Sequence, residues 1–444
     1  MEILRAKTKL LFQGRPLSET HTKNSELNIK EIDEGKTILS SYPRRLVLEL
    51  TNACNLNCVM CGRNAADFKA TAFDMDVFRS LEPVMDYVEE VTLMGWGEPT
   101  IYPNFIEMLD IINRHGARKY FCTNGMNLKK IKNAIFDYNV DVFAVSLDGA
   151  TDETNSRIRR GSKIDVICDD LRDIVRIKKE RGLTYPWINF VFCAMKSNIH
   201  ELPDLVRLAA DIGLNEVKVV YLTVFEPSML EETLWGQDEL VHSVFEEAIK
   251  VAEELKIAIK LPHYVGEDVA GDKEHKDCFV SWRDFFLGSD GYVRPCMSTP
   301  VKFFQYDMNR DFMDMWNSKE YQEYRKNVLH PGETYIFYGK VEGGGVRRRM
   351  VNPLLETEGK QLLTGRIMPI YPLTAGVSQS MLCKAVEQGL AACVDELPDI
   401  LPEDVRLAYQ LCHTRFAYEN IHFPTDDEAL SAARRRLAFE ELFL

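Results

Sequence analysis

The stretch RLVLELTNACNLNCVMCGRNA, residues 45–65, joins a short apolar run to three closely spaced cysteines. The run RLVLELT is unbroken rather than alternating, which is typical of a strand buried on both faces of a parallel sheet. Cys54, Cys58 and Cys61 follow it directly. The sequence therefore predicts a buried parallel strand whose carboxyl end carries a loop with three thiols.

Five further apolar runs continue this pattern, with helical patterns between them. The runs are residues 90–95, 119–123, 142–147, 188–194 and 216–222. Three of the helical patterns end at a glycine, which suits a left-handed C-cap, and an amphipathic helix around 237–255 closes the series. Six strand–helix units predict a parallel α/β architecture. Because a closed barrel of this type needs eight units, we expect an open, partial (β/α)6 TIM-like barrel.

Changes in sequence texture predict four segments. Residues 1–43 are mixed and polar and form an N-terminal extension, and residues 44–260 form the barrel. Residues 261–330 hold short strands, a turn at GSDGYV and a terminal helix. Residues 331–444 begin with two strands around a Gly-rich turn and continue as helices.

Composition limits the function classes. The formal net charge of -14 argues against a chain whose main task is neutralising phosphates. The N-terminus lacks the apolar core of a signal peptide, and the chain has no apolar stretch of about 18 residues. We therefore expect a cytoplasmic protein with reduced thiols and no membrane partner. The 11 cysteines are odd in number and scattered, which fits no disulfide framework.

The C-x3-C-x2-C loop has three interpretations. A structural zinc site needs four tetrahedral ligands, and no fourth candidate lies near the loop. Buried cysteines can also cluster by chance, because free cysteine packs well in apolar cores. An iron–sulfur cluster that uses three thiolates and keeps one iron open needs no fourth protein ligand. The spacing favours the cluster.

This loop after a first barrel strand resembles the signature of the radical S-adenosylmethionine (SAM) superfamily. The resemblance implies a [4Fe-4S] cluster held by Cys54, Cys58 and Cys61, whose open iron binds SAM. It implies reductive cleavage of SAM to a 5′-deoxyadenosyl radical, which abstracts hydrogen from a substrate. It also implies an electron donor such as flavodoxin or ferredoxin. Met60 stands where the family often has an aromatic residue.

Motifs after the next strands resemble further parts of the same family. GWGEP, residues 95–99, is similar to a G-G-E-P motif that holds the amino group of SAM, with Trp96 in place of the first glycine. A Gly/Pro turn without function is the alternative. TNG, residues 123–125, follows the third strand, as in many relatives. The resemblance implies cofactor contacts for Gly97, Glu98, Pro99, Thr123 and Asn124.

The fourth strand runs into SLDGATDETNSRIRRG, residues 146–161, which is similar to the family's S-x-D-G motif followed by an Arg-containing turn. The resemblance implies that Ser146 contacts the ribose or methionine of SAM and that Arg159 contacts its carboxylate. Asp148 of the same motif is a further expected cofactor contact. Arg157 or Arg160 are alternatives for the carboxylate, and a solvated charge cluster is the alternative to any role. Asn198, after the fifth strand, is a further expected SAM contact.

A second cysteine pair resembles the start of a SPASM or twitch domain. Cys278 and Cys296 are separated by a turn with Gly291, and residues 314–328 resemble the closing helix of that region. Relatives continue with further cysteines that complete auxiliary clusters, and these are absent here. An auxiliary iron–sulfur cluster at Cys278 and Cys296 is therefore expected to be incomplete. Two buried cysteines that flank a hairpin are the alternative.

Residues 331–444 resemble a different family, the RecG-type ATP-dependent DNA helicases. The stretches PGETYIFYGKVEGGG, GRIMPIYPLTAGVSQSMLCKAVEQGL and IHFPTDDEALSAARRRLAFEELFL resemble the latter part of its wedge (OB-fold) domain and the helical linker that follows. No G-x4-G-K-[ST] phosphate loop is present, so a motor is missing. Two arginine triplets, 347–349 and 434–436, either touch phosphates or form solvated faces.

The chain thus looks like two interrupted proteins joined near residue 330, and we interpret it as a gene fusion or chimera. The leading functional hypothesis is a SPASM-type radical SAM enzyme whose relatives modify peptides or proteins. A fragment of a RecG-type helicase that binds branched DNA without its own motor is a second hypothesis. A zinc-stabilised binding module is a third. The sequence leaves the substrate, the product and the oligomeric state open.

Overall fold

A computed structural model describes residues 14–65, 69–262, 264, 279–296, 299, 301–326, 335–342, 349–357, 367, 369–372, 379–393 and 396–443. The chain divides into two compact units, Met1–Pro331 and Gly332–Leu444. In the described parts of both units, no helix is long and apolar enough to cross a membrane.

The first unit is built on a sheet of ten strands. Its strand order is β12-β11-β10-β1-β3-β4-β5-β7-β8-β9, and β2 pairs with β6 in a separate two-stranded ribbon. The strands are β1 Arg45–Leu48, β2 Asn57–Cys58, β3 Glu90–Leu93, β4 Arg118–Thr123, β5 Val142–Ser146, β6 Arg159–Arg160, β7 Trp187–Ala194, β8 Glu216–Tyr221, β9 Ala258–Lys260, β10 Asp284–Leu287, β11 Tyr292–Arg294 and β12 Phe304–Gln305.

The predicted partial barrel is confirmed. Strands β1, β3, β4, β5, β7 and β8 are the six predicted strands, and each pairs in parallel with the next. Two strands extend this parallel array beyond the prediction. β9 adds to β8, and β10 adds to the other side of β1, although 235 residues separate β10 from it when counted from Leu48 to Asp284. The cysteine loop therefore leaves an internal strand of the sheet.

Helices alternate with these strands along the chain. They are α1 Glu19–Asp33, α2 Met75–Ser80, α3 Glu82–Met85, α4 Phe105–His115, α5 Leu128–Asp137, α6 Asp152–Ile158, α7 Ile164–Glu180, α8 Leu202–Ile212, α9 Asp238–Leu255, α10 Val280–Arg283, α11 Phe312–Trp316 and α12 Lys319–Lys326. Gly116 and Gly213 are left-handed C-caps, as predicted. The third expected cap differs, because α7 ends at Glu180 and Gly182 takes its positive φ in the turn beyond.

The two faces of the sheet differ in polarity. On one face, alternate strand residues such as Val217 and Val219 are fully buried in a hydrophobic core that α8 and α9 also line. On the other face, polar and charged side chains, including Arg45, Glu90 and Lys218, are interspersed with apolar ones such as Val191. A sheet that is apolar on its helix-covered face and carries its polar groups on the other presents its chemistry on the inner side of the partial barrel.

Helix α1 lies in the segment that the sequence predicts to be an irregular extension. Its buried face is polar, and its members are His21, Asn24, Ser25, Asn28 and Glu31. The Asn28 side chain donates to Trp282 O at 2.8 Å, and the Glu31 carboxylate accepts from the backbone N–H of Ser40 and Ser41. Hydrophobic periodicity cannot detect this helix, because it buries hydrogen-bonding groups instead of apolar ones.

The end of the first unit packs around an aromatic cluster. Trp316 and Tyr321 are fully buried, and the Trp316 indole N–H donates to Ser41 O at 3.1 Å. The Arg325 guanidinium lies 4.4 Å from the Trp316 ring centroid and donates to Trp316 O and Ser281 O. Helices α11 and α12 are therefore integral parts of the first unit.

The second unit begins with an antiparallel hairpin, β13 Tyr335–Glu342 and β14 Arg349–Thr357, and continues with α13 Gln379–Cys393, α14 Glu403–Ala408, α15 Thr414–His422 and α16 Asp427–Phe443. In α16, Arg434 and Arg435 are exposed, but Arg436 is fully buried between Asp399 and Glu440. The interpretation of 434–436 as one solvated or phosphate-binding face is wrong for Arg436, whose charge is neutralised internally. Arg347 and Arg348, and the side chain of Arg349, lie outside the described residues.

Candidate functional site

The cysteine loop leaves the carboxyl end of β1 and is fastened at its base. The Asn52 side chain donates to Lys69 O and accepts from Thr71 N, both at 2.7 Å. Thr51 Oγ1 donates to Thr71 O at 2.7 Å. Cys54, Cys58 and Cys61 lie within the closed loop as partly exposed thiols. The base of the loop is thus held by side chains other than the thiols.

Cys58 lies on the short ribbon between β2 and β6. Its register partner there is Arg159, and Val59 N donates to Ile158 O at 2.9 Å next to that pair. Burial raises the pKa of the Cys58 thiol to about 11, and the nearby Asp148, Cys61 and Cys54 act in the same direction, while Arg159 opposes them. The ribbon therefore brings the segment after β5 directly onto the cysteine loop.

Arg159 and Asp148 form a buried ion pair next to this ribbon. Arg159 Nε lies 2.6 Å from Asp148 Oδ2, and the two side chains are 11% and 0% exposed. Burial raises the pKa of Asp148 although Arg159 opposes the rise. Burial also disfavours the charge of Arg159, but its attraction to Asp148 and Cys58 raises the pKa of Arg159 overall. Asp148 and Arg159 therefore form a buried pair of opposite charges.

The structure distinguishes Arg159 from its two neighbours. Arg157 and Arg160 are exposed, whereas Arg159 is buried beside Cys58. Within the described residues, the side chain of Arg159 has the Asp148 carboxylate as its ion-pair partner, and its two terminal nitrogens make no hydrogen bond. Those terminal N–H groups can therefore bind a further carboxylate.

The Glu98 carboxylate joins the loops that follow β3 and β4 through hydrogen bonds. It accepts from Thr100 Oγ1 at 2.6 Å, Thr123 Oγ1 at 2.7 Å and Asn124 N at 2.7 Å. Only 2% of Glu98 is exposed, and burial raises its pKa although these donors oppose the rise. One acceptor site remains on the oxygen that Asn124 N contacts, because a carboxylate oxygen accepts about two hydrogen bonds.

Asn124 connects these two loops to the cysteine loop. Its side-chain N–H donates to Asn55 Oδ1 at 2.7 Å and lies 3.8 Å from Cys54 Sγ. The loops after β1, β3 and β4 therefore form one hydrogen-bonded unit. Asn55 was not predicted from the sequence, and its position inside the cysteine loop, between Cys54 and Cys58, was the only available signal.

At Gly97 and Gly62 these loops approach one another closely. A Cβ on Gly97 would collide with the backbone oxygens of Thr51 and Ala53. A Cβ on Gly62 would collide with the Trp96 ring, which packs edge-on against Phe225 at a centroid distance of 5.1 Å. Trp96, the unexpected residue of GWGEP, thus covers the loop directly after Cys61.

The remaining predicted residues have different surroundings. Ser146 Oγ lies 3.4 Å from Cys122 Sγ on the polar face of the sheet. The side-chain amide of Asn198 donates to Asp148 O and Cys193 O, both at 3.0 Å. Asn198 therefore holds the end of β5 to the end of β7 and uses both of its donors on the protein. Pro99 begins a short 3-10 turn, Pro99–Ile101, in which Glu98 is the cap.

A buried carboxyl group near the site was missed by sequence reasoning. Glu49 lies just after β1, and its Oε1 accepts from Ser289 Oγ at 2.9 Å. Burial raises the pKa of Glu49 although Ser289 and Arg294 oppose the rise. A charged residue at the end of an apolar run was the signal, but its partner is 240 residues away.

The second cysteine pair is described at one member. Cys296 is partly exposed after β11, whereas Cys278 lies outside the described residues. The auxiliary cluster stays a prediction. No group of three His, Cys, Asp or Glu side chains in the described part of the chain is arranged to share one metal ion. A four-iron cluster does not need such a group, because each thiolate binds a different iron.

Family models match three consecutive parts of the chain. The radical SAM superfamily matches residues 48–209, an iron–sulfur cluster-binding domain (SPASM) matches 278–334, and the RecG wedge domain matches 307–393. The last two overlap at 307–334, where α11 and α12 pack into the first unit.

The curated relatives of this chain also belong to two different kinds of protein. A tungsten-containing aldehyde ferredoxin oxidoreductase cofactor-modifying protein from Pyrococcus furiosus is 25% identical over 313 residues, which are 65% of this chain and 86% of that protein. The ATP-dependent DNA helicase RecG from Synechocystis is 33% identical over 129 residues, which are 28% of this chain and 15% of the helicase. The match therefore spans only a small part of the helicase's length.

Solved structures share the fold of the first unit. Streptococcus suis SuiB bound to S-adenosylmethionine superposes with a TM-score of 0.54 at 18% identity and covers 68% of this chain and 72% of SuiB. SuiB has also been solved bound to its precursor peptide SuiA, with a TM-score of 0.52 to this chain. At this identity the likeness establishes the fold alone.

Proposed function

Because residues 48–209 belong to the radical SAM superfamily, we propose that Cys54, Cys58 and Cys61 hold the [4Fe-4S] cluster of a peptide- or protein-modifying enzyme. The chemistry supplied there is the reductive cleavage of SAM to a 5′-deoxyadenosyl radical for hydrogen abstraction. The chain's own residues hold the cluster, orient SAM and exclude water from the site.

The cysteine loop fits this cluster. Its three thiols are partly exposed, and the hydrogen-bonded base of the loop holds the segment that carries them. Without iron, burial and mutual repulsion raise the pKa of Cys58 and favour the neutral thiol. A bound cationic centre reverses that balance, because it stabilises the thiolate directly. The open fourth position then needs no protein ligand.

Several residues are placed to orient SAM. The terminal N–H groups of Arg159 are proposed to bind its carboxylate, while Asp148 fixes the guanidinium. The backbone of Gly97 and Pro99 and the remaining acceptor site of Glu98 are proposed to receive its amino group. Ser146 is proposed to contact the ribose. Thr123, Asn124 and Asn198 position these groups through hydrogen bonds to Glu98 and the strand ends.

The observation that carries the proposal is the Cys58–Arg159 ribbon. It joins the cysteine loop after β1 to the arginine-containing turn after β5, so the thiols and the proposed carboxylate site lie side by side. A zinc-stabilised module does not require this arrangement. A peptide substrate is supported by the SuiB fold, which was solved with a precursor peptide, and flavodoxin or ferredoxin is proposed as the electron donor.

The join near residue 330 is proposed to unite two gene segments. The two compact units meet at Pro331 and Gly332, and the cluster-binding and wedge matches overlap just before this point. Amplification of the locus across codons 325–335 from source DNA tests whether the chain is continuous. A continuous product of the stated sequence supports a genuine fusion and contradicts a sequence artefact.

Anaerobic reconstitution tests the proposed function. The protein should bind about four irons per chain at this site and release 5′-deoxyadenosine from SAM when it is reduced. Cys58→Ala should lose both properties. Cys393→Ala, at an exposed cysteine in the second unit, is the matched control and should keep them. A Cys58→Ala protein that still releases 5′-deoxyadenosine would contradict the cluster assignment.

A further inference from the structure

An unpaired lysine lies on the polar face of the sheet, away from the residues proposed to bind SAM. Lys218 is the third residue of β8, between the fully buried core residues Val217 and Val219. Successive side chains of a strand point to opposite faces, so Lys218 points to the inner side of the partial barrel. Its electrostatic neighbours support this, because Arg45, Cys122, Glu216 and Lys260 come from four strands and share that face.

Among the described residues Lys218 has no ion pair of its own, although Glu216 lies close enough to attract its charge. Lys260, its register partner on β9, pairs with Glu216 at 2.9 Å. On the same face, toward the β10 end of the sheet, Asp284 pairs with Arg45 and Arg283, and Glu90 faces Arg45 at 3.9 Å. In the described part of the chain, every carboxylate of this face therefore has another partner, and the Lys218 ammonium has none.

Holding an unpaired ammonium in this setting is unfavourable. Burial lowers the pKa of Lys218, and repulsion from Lys260 and Arg45 acts in the same direction, although Glu216 and Cys122 oppose the shift. Desolvated charges in proteins are normally compensated by an opposite charge. A ligand that brings a carboxylate would supply the missing partner and remove the penalty.

The position of Lys218 fits a substrate group. Val191 on β7 is the register partner of both Lys218 on β8 and Ser146 on β5. Lys218 and Ser146 are therefore two strands apart, about 10 Å across the sheet. A peptide that presents a hydrogen atom near Ser146 can reach Lys218 with a carboxylate one residue or one side chain away.

We propose that Lys218 binds a carboxylate of the peptide substrate and so determines which peptides this enzyme accepts. The carboxylate is either an acidic side chain or the peptide's C-terminus, and both present the same chemistry. The inference rests on the proposed function, since it assigns a peptide substrate to the same barrel. Lys218 is a specificity-determining residue, distinct from Arg159, which is proposed to bind the carboxylate of SAM.

Equilibrium dialysis of the reconstituted full-length protein tests this assignment with two isomeric probes. N-acetylglutamine has a free α-carboxylate, N-acetylisoglutamine has a free γ-carboxylate, and N-acetylglutaminamide is the neutral control. At least one acid should bind, and the neutral probe should not. Lys218→Met should weaken that binding tenfold or more, about 1.4 kcal/mol. Lys218→Arg should retain part of it, and Lys130→Met, at an exposed lysine of α5, should change nothing.

The outcomes separate the possible sources of the carboxylate. Preference for the α-acid identifies a C-terminus, and preference for the γ-acid identifies an acidic side chain. The affinity for SAM should be unchanged in Lys218→Met; a loss there would assign Lys218 to SAM and overturn the proposal. Binding of neither acid, or equal binding by Lys218→Met, would also overturn it.

The dialysis test is independent of the test of the proposed function. Dialysis requires no SAM cleavage, so it can contradict the carboxylate assignment alone, while the 5′-deoxyadenosine assay tests the radical SAM assignment. Lys218→Met removes an uncompensated charge and keeps a long unbranched side chain, so its unfolding midpoint should not fall below that of the wild type. A folded variant that has lost carboxylate binding is the expected result.

Discussion

Cys58 and Arg159 are register partners in a two-residue antiparallel ribbon that lies outside the main sheet. Cys58 belongs to the loop after β1, and Arg159 directly follows α6, the helix after β5. Arg159 also pairs with the buried Asp148. This contact couples the proposed cluster ligand to the charge pair that is proposed to orient SAM.

Removing one member of that pair should destabilise the first unit. Arg159→Met leaves the Asp148 carboxylate buried without a counter-ion, and loss of one partner of a buried pair costs about 3–5 kcal/mol. Urea unfolding measures this cost. The double variant Asp148→Asn/Arg159→Met should recover part of it, because no uncompensated charge remains. Equal stability of the single and double variants would contradict the pairing.

Trp96 should protect the cysteine loop. Trp96→Gly removes the ring that covers Gly62 and packs against Phe225, so oxygen and water should reach the cluster more easily. The visible absorbance of the reconstituted protein should bleach several times faster in air. Trp96→Phe, which keeps an aromatic ring, should bleach at an intermediate rate. An unchanged rate in Trp96→Gly would show that the ring is not protective.

The pH dependence of stability should contain a contribution from Glu49. Its folded-state pKa is raised above the ordinary value of 4.5, so the folded protein binds its proton more tightly than the unfolded chain does. This contribution is fully present below pH 4.5 and is lost as the pH rises through the folded pKa. Glu49→Gln should remove that loss.

Unfolding measured from pH 4.5 upward compares Glu49→Gln with the wild type. The stability difference should move in favour of the variant as the pH rises. Glu107→Gln, at a carboxylate on the outer surface of α4 that pairs with Arg79, is the control and should not reproduce this trend. A pH-independent difference for Glu49→Gln would indicate that its pKa is not raised.

The polar helix α1 should be essential for stability. Asn28→Ala removes the hydrogen bonds to Trp282 O and Ser41 Oγ; Trp282 O loses that donor, whereas Ser41 Oγ keeps its bond to Glu31. The expected cost is about 1–3 kcal/mol in the free energy of unfolding. Glu26→Ala, on the exposed side of the same helix, should change stability by less than about 0.5 kcal/mol. Similar losses in both variants would mean that α1 contributes only through helix propensity.

Much of the barrel could be predicted from the sequence, because its information is local. Unbroken apolar runs predicted six strands, which the structure contains, and the sequence places the three-cysteine loop directly after the first. The resemblance of residues 331–444 to the RecG wedge domain could likewise be predicted from the residues of that segment alone. Helix α1 escaped prediction because its buried side chains are polar, and the place of β10 beside β1 escaped because its pairing partner lies far away in the chain.

By itself, the sequence determined the six barrel strands with the helices between them, the three-thiol loop and the join of two family segments, since each depends on residues close together in the chain. Only the tertiary structure decided which arginine meets Cys58, what covers Gly62 and which lysine inside the barrel has no ion-pair partner among the described residues. The physical reason is that burial and charge pairing depend on neighbours in space. For Arg159, Trp96 and Lys218, those neighbours come from strands and loops that folding alone brings together.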